Sequence, residues 1–220
     1  MELFPAGVVV PSTDLVGREP TLRRWIAWLA GGQSIVVAGP RRLGKSSVWH
    51  EALRRLAAAG CVTLALDCSA YDREDAFARA LADALLERET GIRGVVERIA
   101  RTLRGVEPAL TLSDHAAELA LRVAKAAPGS ATVADVLADL AAAAARSVRR
   151  HVTLLDEFQE VARWSPAATG RIRSGLQRAN GVAIFLGSQA HTLRAMFAEP
   201  GQIFYGFAQP EHLDPVPAAD

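Results

Sequence analysis

The sequence predicts an α/β fold in three layers, a mostly parallel sheet with helices on both faces. Two observations carry that prediction. Short apolar runs at 34–38, 62–66, 151–155 and 182–186 alternate with longer segments of helical periodicity, and each run ends in a polar cluster. The first run leads into Gly39-Pro-Arg-Arg-Leu-Gly-Lys-Ser46, a glycine-bounded loop with a helix-like segment after it.

Along the chain, residues 1–18 read as an extended lead-in rich in Pro, Gly and Val. A first helix over about 19–30 places Leu22, Trp25, Ile26 and Leu29 on one face. The strand at 34–38 and the helix at 46–59 flank the glycine-bounded loop. The strand at 62–66 closes on Asp67-Cys-Ser69, and Asp72 or Asp75 caps the next helix, which runs through Phe77, Leu81 and Leu85 towards 88. Residues 91–149 carry helix signals only, broken at Pro128-Gly-Ser130. They read as an insertion near the ligand edge of one domain spanning 19–213. The strand at 151–155 runs into Asp156-Glu157, a helix follows at about 167–179, and the strand at 182–186 ends in Gly187-Ser-Gln189. A short helix at 191–198 precedes a Gly- and Pro-rich tail, with 214–220 as a terminal segment and possible truncation point.

Composition narrows the classes. With 25 basic and 24 acidic side chains the net charge is +1, so no overall field marks a nucleic-acid or membrane binder. Cys61 and Cys68 are spaced to face opposite sides of a strand, which argues against a metal pair and fits a reducing compartment. The scattered histidines show no zinc spacing, and the tryptophans read as packing groups. No secretory leader or uninterrupted apolar run of about 18 residues is present, so a cytoplasmic chain with no membrane contact is expected.

In a parallel sheet all four polar clusters fall at the carboxyl edge, where ligands bind. Residues Gly39, Pro40, Arg41, Arg42, Leu43, Gly44, Lys45, Ser46 and Ser47 form a candidate phosphate loop whose backbone N–H groups wrap a β-phosphate. Lys45 would bridge the β- and γ-phosphates, and Ser46 would offer its hydroxyl to Mg²⁺. Asp156 is the second candidate ligand for Mg²⁺, and Glu157 is the candidate base that polarises the attacking water. Either Ser188 or Gln189 could hydrogen-bond the γ-phosphate or that water. Gln159 and Glu160 serve the rim of the site or face solvent. Arg18 is a candidate to pin the N-terminal segment over the base of a nucleotide. Arg171, Arg173, Arg178 and Arg194 are open candidates for a finger donated to a neighbouring site.

The Gly17-Arg18-Glu19 entry, the phosphate loop, Leu155-Asp-Glu-Phe-Gln159 and Leu186-Gly-Ser188 together resemble the archaeal-type ATPases, P-loop proteins of the AAA+/STAND class. The resemblance spans about residues 12–198. It implies that Lys45 and Ser46 are the Walker A pair, Asp156 and Glu157 the Walker B pair with its catalytic acid, and Ser188 the first sensor. It further implies ATP or ADP with Mg²⁺ as ligands, and a five-stranded sheet in the order 5-1-4-3-2 with its last strand near Leu213. Such proteins carry a helical lid after this core, often with a winged-helix or nuclease-like domain. This chain ends at Asp220, so nucleic-acid contact is expected only through such a region. A homo-oligomer or protein partner would supply the arginine finger.

Three readings follow: an ATPase coupling turnover to conformation or assembly, a nucleotide-gated switch with negligible turnover, and the ATPase core of a DNA-associated protein. The sequence lacks the Asn-Lys-x-Asp guanine reader of GTPases. Gly31-Gly-Gln-Ser34 matches part of a transporter-ATPase signature but precedes the phosphate loop. Arg93, Arg98, Arg101 and Arg104 keep an arginine-rich kinase lid open.

Overall fold

Strands and helices alternate along the chain. Helix α1 spans Glu19–Ala30, strand β1 Ile35–Ala38, helix α2 Lys45–Ala58, strand β2 Val62–Asp67 and helix α3 Glu74–Arg88. Then come β3 (His151–Asp156), α4 (Ala168–Arg178), β4 (Val182–Gly187), α5 (Ala190–Ala198) and β5 (Gln209–Glu211). Short 3₁₀ helices, Cys68–Ala70 and Phe158–Arg163, follow β2 and β3. This computed structural model describes residue 15 and residues 17–40, 43–88, 150–165, 167–178 and 181–214. The expected insertion at 91–149, most of the lead-in, Arg41 and Arg42 lie outside the described residues.

The strands form one parallel sheet in the order β2-β3-β4-β1-β5, which read from the other edge is 5-1-4-3-2. The fifth strand lies just ahead of Leu213, which instead buries its side chain beyond the strand. β5 is an edge strand with Pro210 at its centre, a residue that such an edge tolerates because one side of it needs no ladder donor. Register brings the carboxyl ends into line: Ala38 pairs with Gly187, and Asp67 pairs with Asp156.

Alternation along the strands sorts the core onto two faces. Ile35, Val37, Val152, Leu154, Val182, Ile184 and Leu186 pack with Leu22, Trp25 and Leu29 of α1 and with Val48, Trp49 and Leu56 of α2. Val36, Leu64, Leu66, Leu155 and Phe185 pack on the other face with Phe77 and Leu81 of α3, Ile172 and Leu176 of α4, and Leu193 and Phe197 of α5. The cysteines divide as their spacing predicts, Cys61 against the first face and Cys68 within the second. Of the two candidate caps for α3, Asp75 is excluded: the helix begins at Glu74, so Asp75 lies inside its first turn. There it pairs with Arg73 at 2.8 Å and does not act as the cap.

Helices α1 and α2 are joined in two ways. Trp25 and Trp49 stack with ring centroids 4.2 Å apart and planes 4° from parallel. Burying two such rings contributes several kcal/mol, roughly 1.5–3 for each large side chain. The Trp25 indole N–H also donates to Glu211 at 2.7 Å, which ties α1 to the end of β5. Outside the rings lies a charge network: Glu51 accepts from Arg54 and Arg55, and Arg55 reaches Glu19, which also takes Arg23. The pairs of Glu19 are exposed and contribute about 1 kcal/mol or less each, while Glu51 is buried and takes two arginines from its own helix, so the rings dominate the joint between α1 and α2.

The network gives the fold a pH dependence of definite sign. Hydrogen bonds from Arg54, then Arg55, hold the Glu51 carboxyl down at about 2 against an ordinary 4.5. A depressed folded-state value means the stabilisation is complete above the unfolded value and disappears as pH falls through the folded one. Glu51→Gln should cost about 1 kcal/mol at neutral pH. That difference should shrink between pH 4.5 and 2, as read by denaturant unfolding of both proteins across the range.

Candidate functional site

The loop between β1 and α2 turns into the helix at Gly44, whose backbone is left-handed with φ 76°. Any residue with a Cβ would cost roughly 1–2 kcal/mol in that conformation. Gly44 also supplies no capping side chain, so the positive end of the α2 dipole opens onto the loop. Lys45 folds back beneath the loop, its Nζ donating to the carbonyls of Gly39 at 2.7 Å and Pro40 at 2.6 Å. Ser47 is buried beside it. Arg18, also buried, donates to the Leu43 carbonyl at 3.3 Å and the Asp214 carbonyl at 2.6 Å. It therefore ties the entry of α1 to the phosphate loop and to the segment after β5.

Ser46 meets the acidic pair across the sheet edge, its Oγ 3.3 Å from Asp156 Oδ2. Asp156 is half-buried, and its Oδ1 accepts from the Glu157 N–H at 2.9 Å. Burial pushes its carboxyl above the ordinary range; the Glu157 N–H and Ser46 hydroxyl pull it down, while the Glu157 and Asp67 carboxylates push it further up. A hydroxyl and a carboxylate under that electrostatic load are hard oxygen donors that suit Mg²⁺.

Glu157 is the one non-glycine with positive φ among the described residues, at φ 47° and ψ 41°. That conformation costs about 1 kcal/mol. It breaks the strand sharply and turns the side chain towards the end of β4. There the Glu157 Oε2 accepts from Gln159 Nε2 at 2.6 Å, Ser188 Oγ at 2.8 Å and the Ser188 N–H at 3.1 Å. Of the two polar residues after β4, Ser188 therefore joins the acidic pair. Gln189 turns to Glu160 at 3.3 Å on the exposed rim, where Glu160 also takes Arg163.

Gln159 is neither rim nor solvent group: it is 4% exposed. Sequence reasoning missed this, and the available signal was Gly187, a residue without a side chain beside the space that Gln159 occupies. Among the arginines, Arg171 is committed to an ion pair with Glu74 that joins α4 to α3, and Arg173 lies over the Phe207 ring. Arg194 is exposed on α5, while the Arg178 side chain lies outside the described residues. Among the described residues no helix is long and apolar enough to cross a membrane.

Solved structures share the architecture. The chain superposes on a Walker-type ATPase of Pyrococcus abyssi with a TM-score of 0.62 at 18% identity, covering 96% of this chain and 57% of that one. The Orc1 protein of Aeropyrum pernix, solved in complex with DNA, gives 0.57 at 17% identity over 98% of this chain and 49% of that one. The Orc2 protein of the same organism, solved as ADPNP–ADP complexes, gives 0.57 at 15% identity over 96% and 50%. This chain thus spans about half the length of these proteins, and the likeness establishes a shared P-loop ATPase fold. No protein-family model matches the sequence, and no curated protein matches it.

Arg18 offers a direct check on how the loop is held. Replacing Arg18 by Ala removes two part-buried charge-assisted hydrogen bonds and the packing of a buried side chain, and should destabilise the chain by about 2 kcal/mol. Arg18→Lys should recover less than half of that, because one ammonium cannot reproduce the planar fork that reaches both carbonyls. Denaturant unfolding of the three proteins measures both effects.

Proposed function

We propose that the chain is an ATP-binding P-loop ATPase that uses Mg²⁺ and couples its nucleotide state to conformation or assembly. The observation that carries this reading is the approach of Ser46 to Asp156, 3.3 Å apart although 110 residues separate them in sequence. A strand-end carboxylate facing the first hydroxyl of the loop helix is the arrangement that phosphoryl chemistry requires.

In this reading Lys45 exchanges the Gly39 and Pro40 carbonyls for β- and γ-phosphate oxygens when ATP binds. Its ammonium is already buried at the loop, so the exchange needs only a local movement. The N–H groups of the loop and the α2 N-terminus receive the remaining phosphate charge. Ser46 and Asp156 would hold Mg²⁺, which when bound neutralises charge on the phosphate oxygens. Glu157 accepts the proton of the attacking water, and Ser188, already in contact with Glu157, stands where it can sense the γ-phosphate.

The neighbours solved with ADPNP and ADP support nucleotide binding in this fold, and the Orc1 complex supports DNA contact for that protein. With 25 basic against 24 acidic side chains, the overall charge of this chain does not favour a DNA backbone, so we confine the reading to nucleotide chemistry. A second reading, a switch that holds ATP with negligible turnover, draws on the Glu157 carboxylate being taken up by Ser188 and Gln159.

ATP affinity and phosphate release by the purified chain, compared with Lys45→Ala and Glu157→Gln, separate the readings. For the ATPase, Lys45→Ala should weaken ATP binding at least tenfold. Glu157→Gln should keep ATP and lower release by roughly 10²–10⁴-fold, the usual contribution of a general base. Tight ATP binding by wild type with no phosphate release selects the switch. Phosphate release unchanged in both variants overturns the assignment of the site.

A further inference from the structure

We propose that Gln159 is a positioning residue that aims the Glu157 carboxylate, and that Gly187 provides the space in which it does so. The inference rests on the reading of Glu157 as base. Three donors converge on the Glu157 Oε2, and two of them belong to Ser188. The third, Gln159 Nε2, makes the shortest contact at 2.6 Å. Its partner atom on the same amide, Oε1, is buried with no hydrogen-bond partner.

The amide cannot be turned to relieve that oxygen, because the turned form would press Oε1 against the Glu157 Oε2, acceptor on acceptor. The side chain thus carries the desolvation penalty of one orphaned acceptor while its other end holds the carboxylate. Leu or Met of similar size would fill the same space without any such penalty. A packing role therefore does not account for an amide here, and the donor does.

Gly187 makes the arrangement sterically possible. A Cβ built on it would stand 2.2 Å from Gln159 Oε1 and 3.3 Å from its Cδ, well inside contact distance. The Gly187 carbonyl meanwhile accepts from the Gly39 N–H at 3.3 Å, at the mouth of the phosphate loop. The backbone at Gly187 is thereby held from the loop side, so an added methyl would displace the Gln159 amide and with it the third donor to Glu157. Gly187 stands between the candidate phosphate loop, which it meets at Gly39, and Gln159, the residue that holds the candidate base.

The test compares Gln159→Leu, Gly187→Ala and the double variant in steady-state phosphate release and ATP affinity. Loss of aim should lower kcat by roughly 10- to 100-fold in either single variant, the effect of a small misplacement of a reacting group. KM and the ATP Kd should stay within about twofold, since ground-state binding is untouched. Because both changes remove one contact, the double variant should be no worse than the poorer single one. A second readout needs no turnover: in wild type the Gln159 side-chain amide should give NMR signals shifted and slow to exchange with solvent. Glu157→Ala and Gly187→Ala should return those signals to ordinary positions. If the chain binds ATP without releasing phosphate, the amide signal alone decides. Unchanged kcat in Gln159→Leu with Glu157→Gln inactive overturns the role of Gln159 and leaves the base reading intact. Full activity in Glu157→Gln overturns both. An ordinary, fast-exchanging amide in wild type overturns the positioning contact itself.

Discussion

The pairing of β1 with β4 is the constraint on which the candidate site depends. It sets Ala38 beside Gly187, so that the phosphate loop leaves the sheet at the point where β4 delivers Gly187 and Ser188. The bond from the Gly39 N–H to the Gly187 carbonyl carries this pairing one residue past β1. A slip of one residue in β1 would turn Ile35 and Val37 from the α1/α2 face to the other while Ile184 and Leu186 stayed, exchanging the buried contacts of β1 for their opposites. The apolar register therefore holds the polar geometry in place, although no apolar residue takes part in the chemistry proposed.

Charge is handled differently at the two ends of this structure. Between α1 and α2, the Arg55–Glu19 pair, anchored by buried Glu51, adds modestly to a joint already made by stacked tryptophans. At the sheet edge, Asp156 and Glu157 sit side by side and take hydrogen bonds from neutral groups: serine hydroxyls, backbone N–H groups and one amide. The left-handed backbone at Glu157 is the local strain that this arrangement carries.

Particular residues show where sequence reading stops. The strands at 35–38, 62–67, 151–156 and 182–187 were legible because each is a short apolar run closed by a polar cluster. β5 was not: Gln209-Pro-Glu211 has no apolar periodicity, and it becomes a strand because β1 offers an unpaired edge. Only the family resemblance anticipated it. Lys45, Ser46 and Asp156 stood out through motif spacing. Gln159 did not, since the 3₁₀ turn after β3 and the missing side chain at Gly187 together decide that it points inward.

The sequence by itself determined the fold class, the order of the first four strands with the helices described between them, and the residue types gathered at one sheet edge, because periodicity and glycine placement are local properties of the chain. Tertiary structure alone decided which of Ser188 and Gln189 meets Glu157, and that Arg171 is spent on Glu74. It also decided that Arg18 braces the loop and that an amide is buried behind the candidate base. Those outcomes depend on distances between segments far apart in sequence. Parallel register and the packing of two sheet faces set such distances, and no short window of sequence contains them.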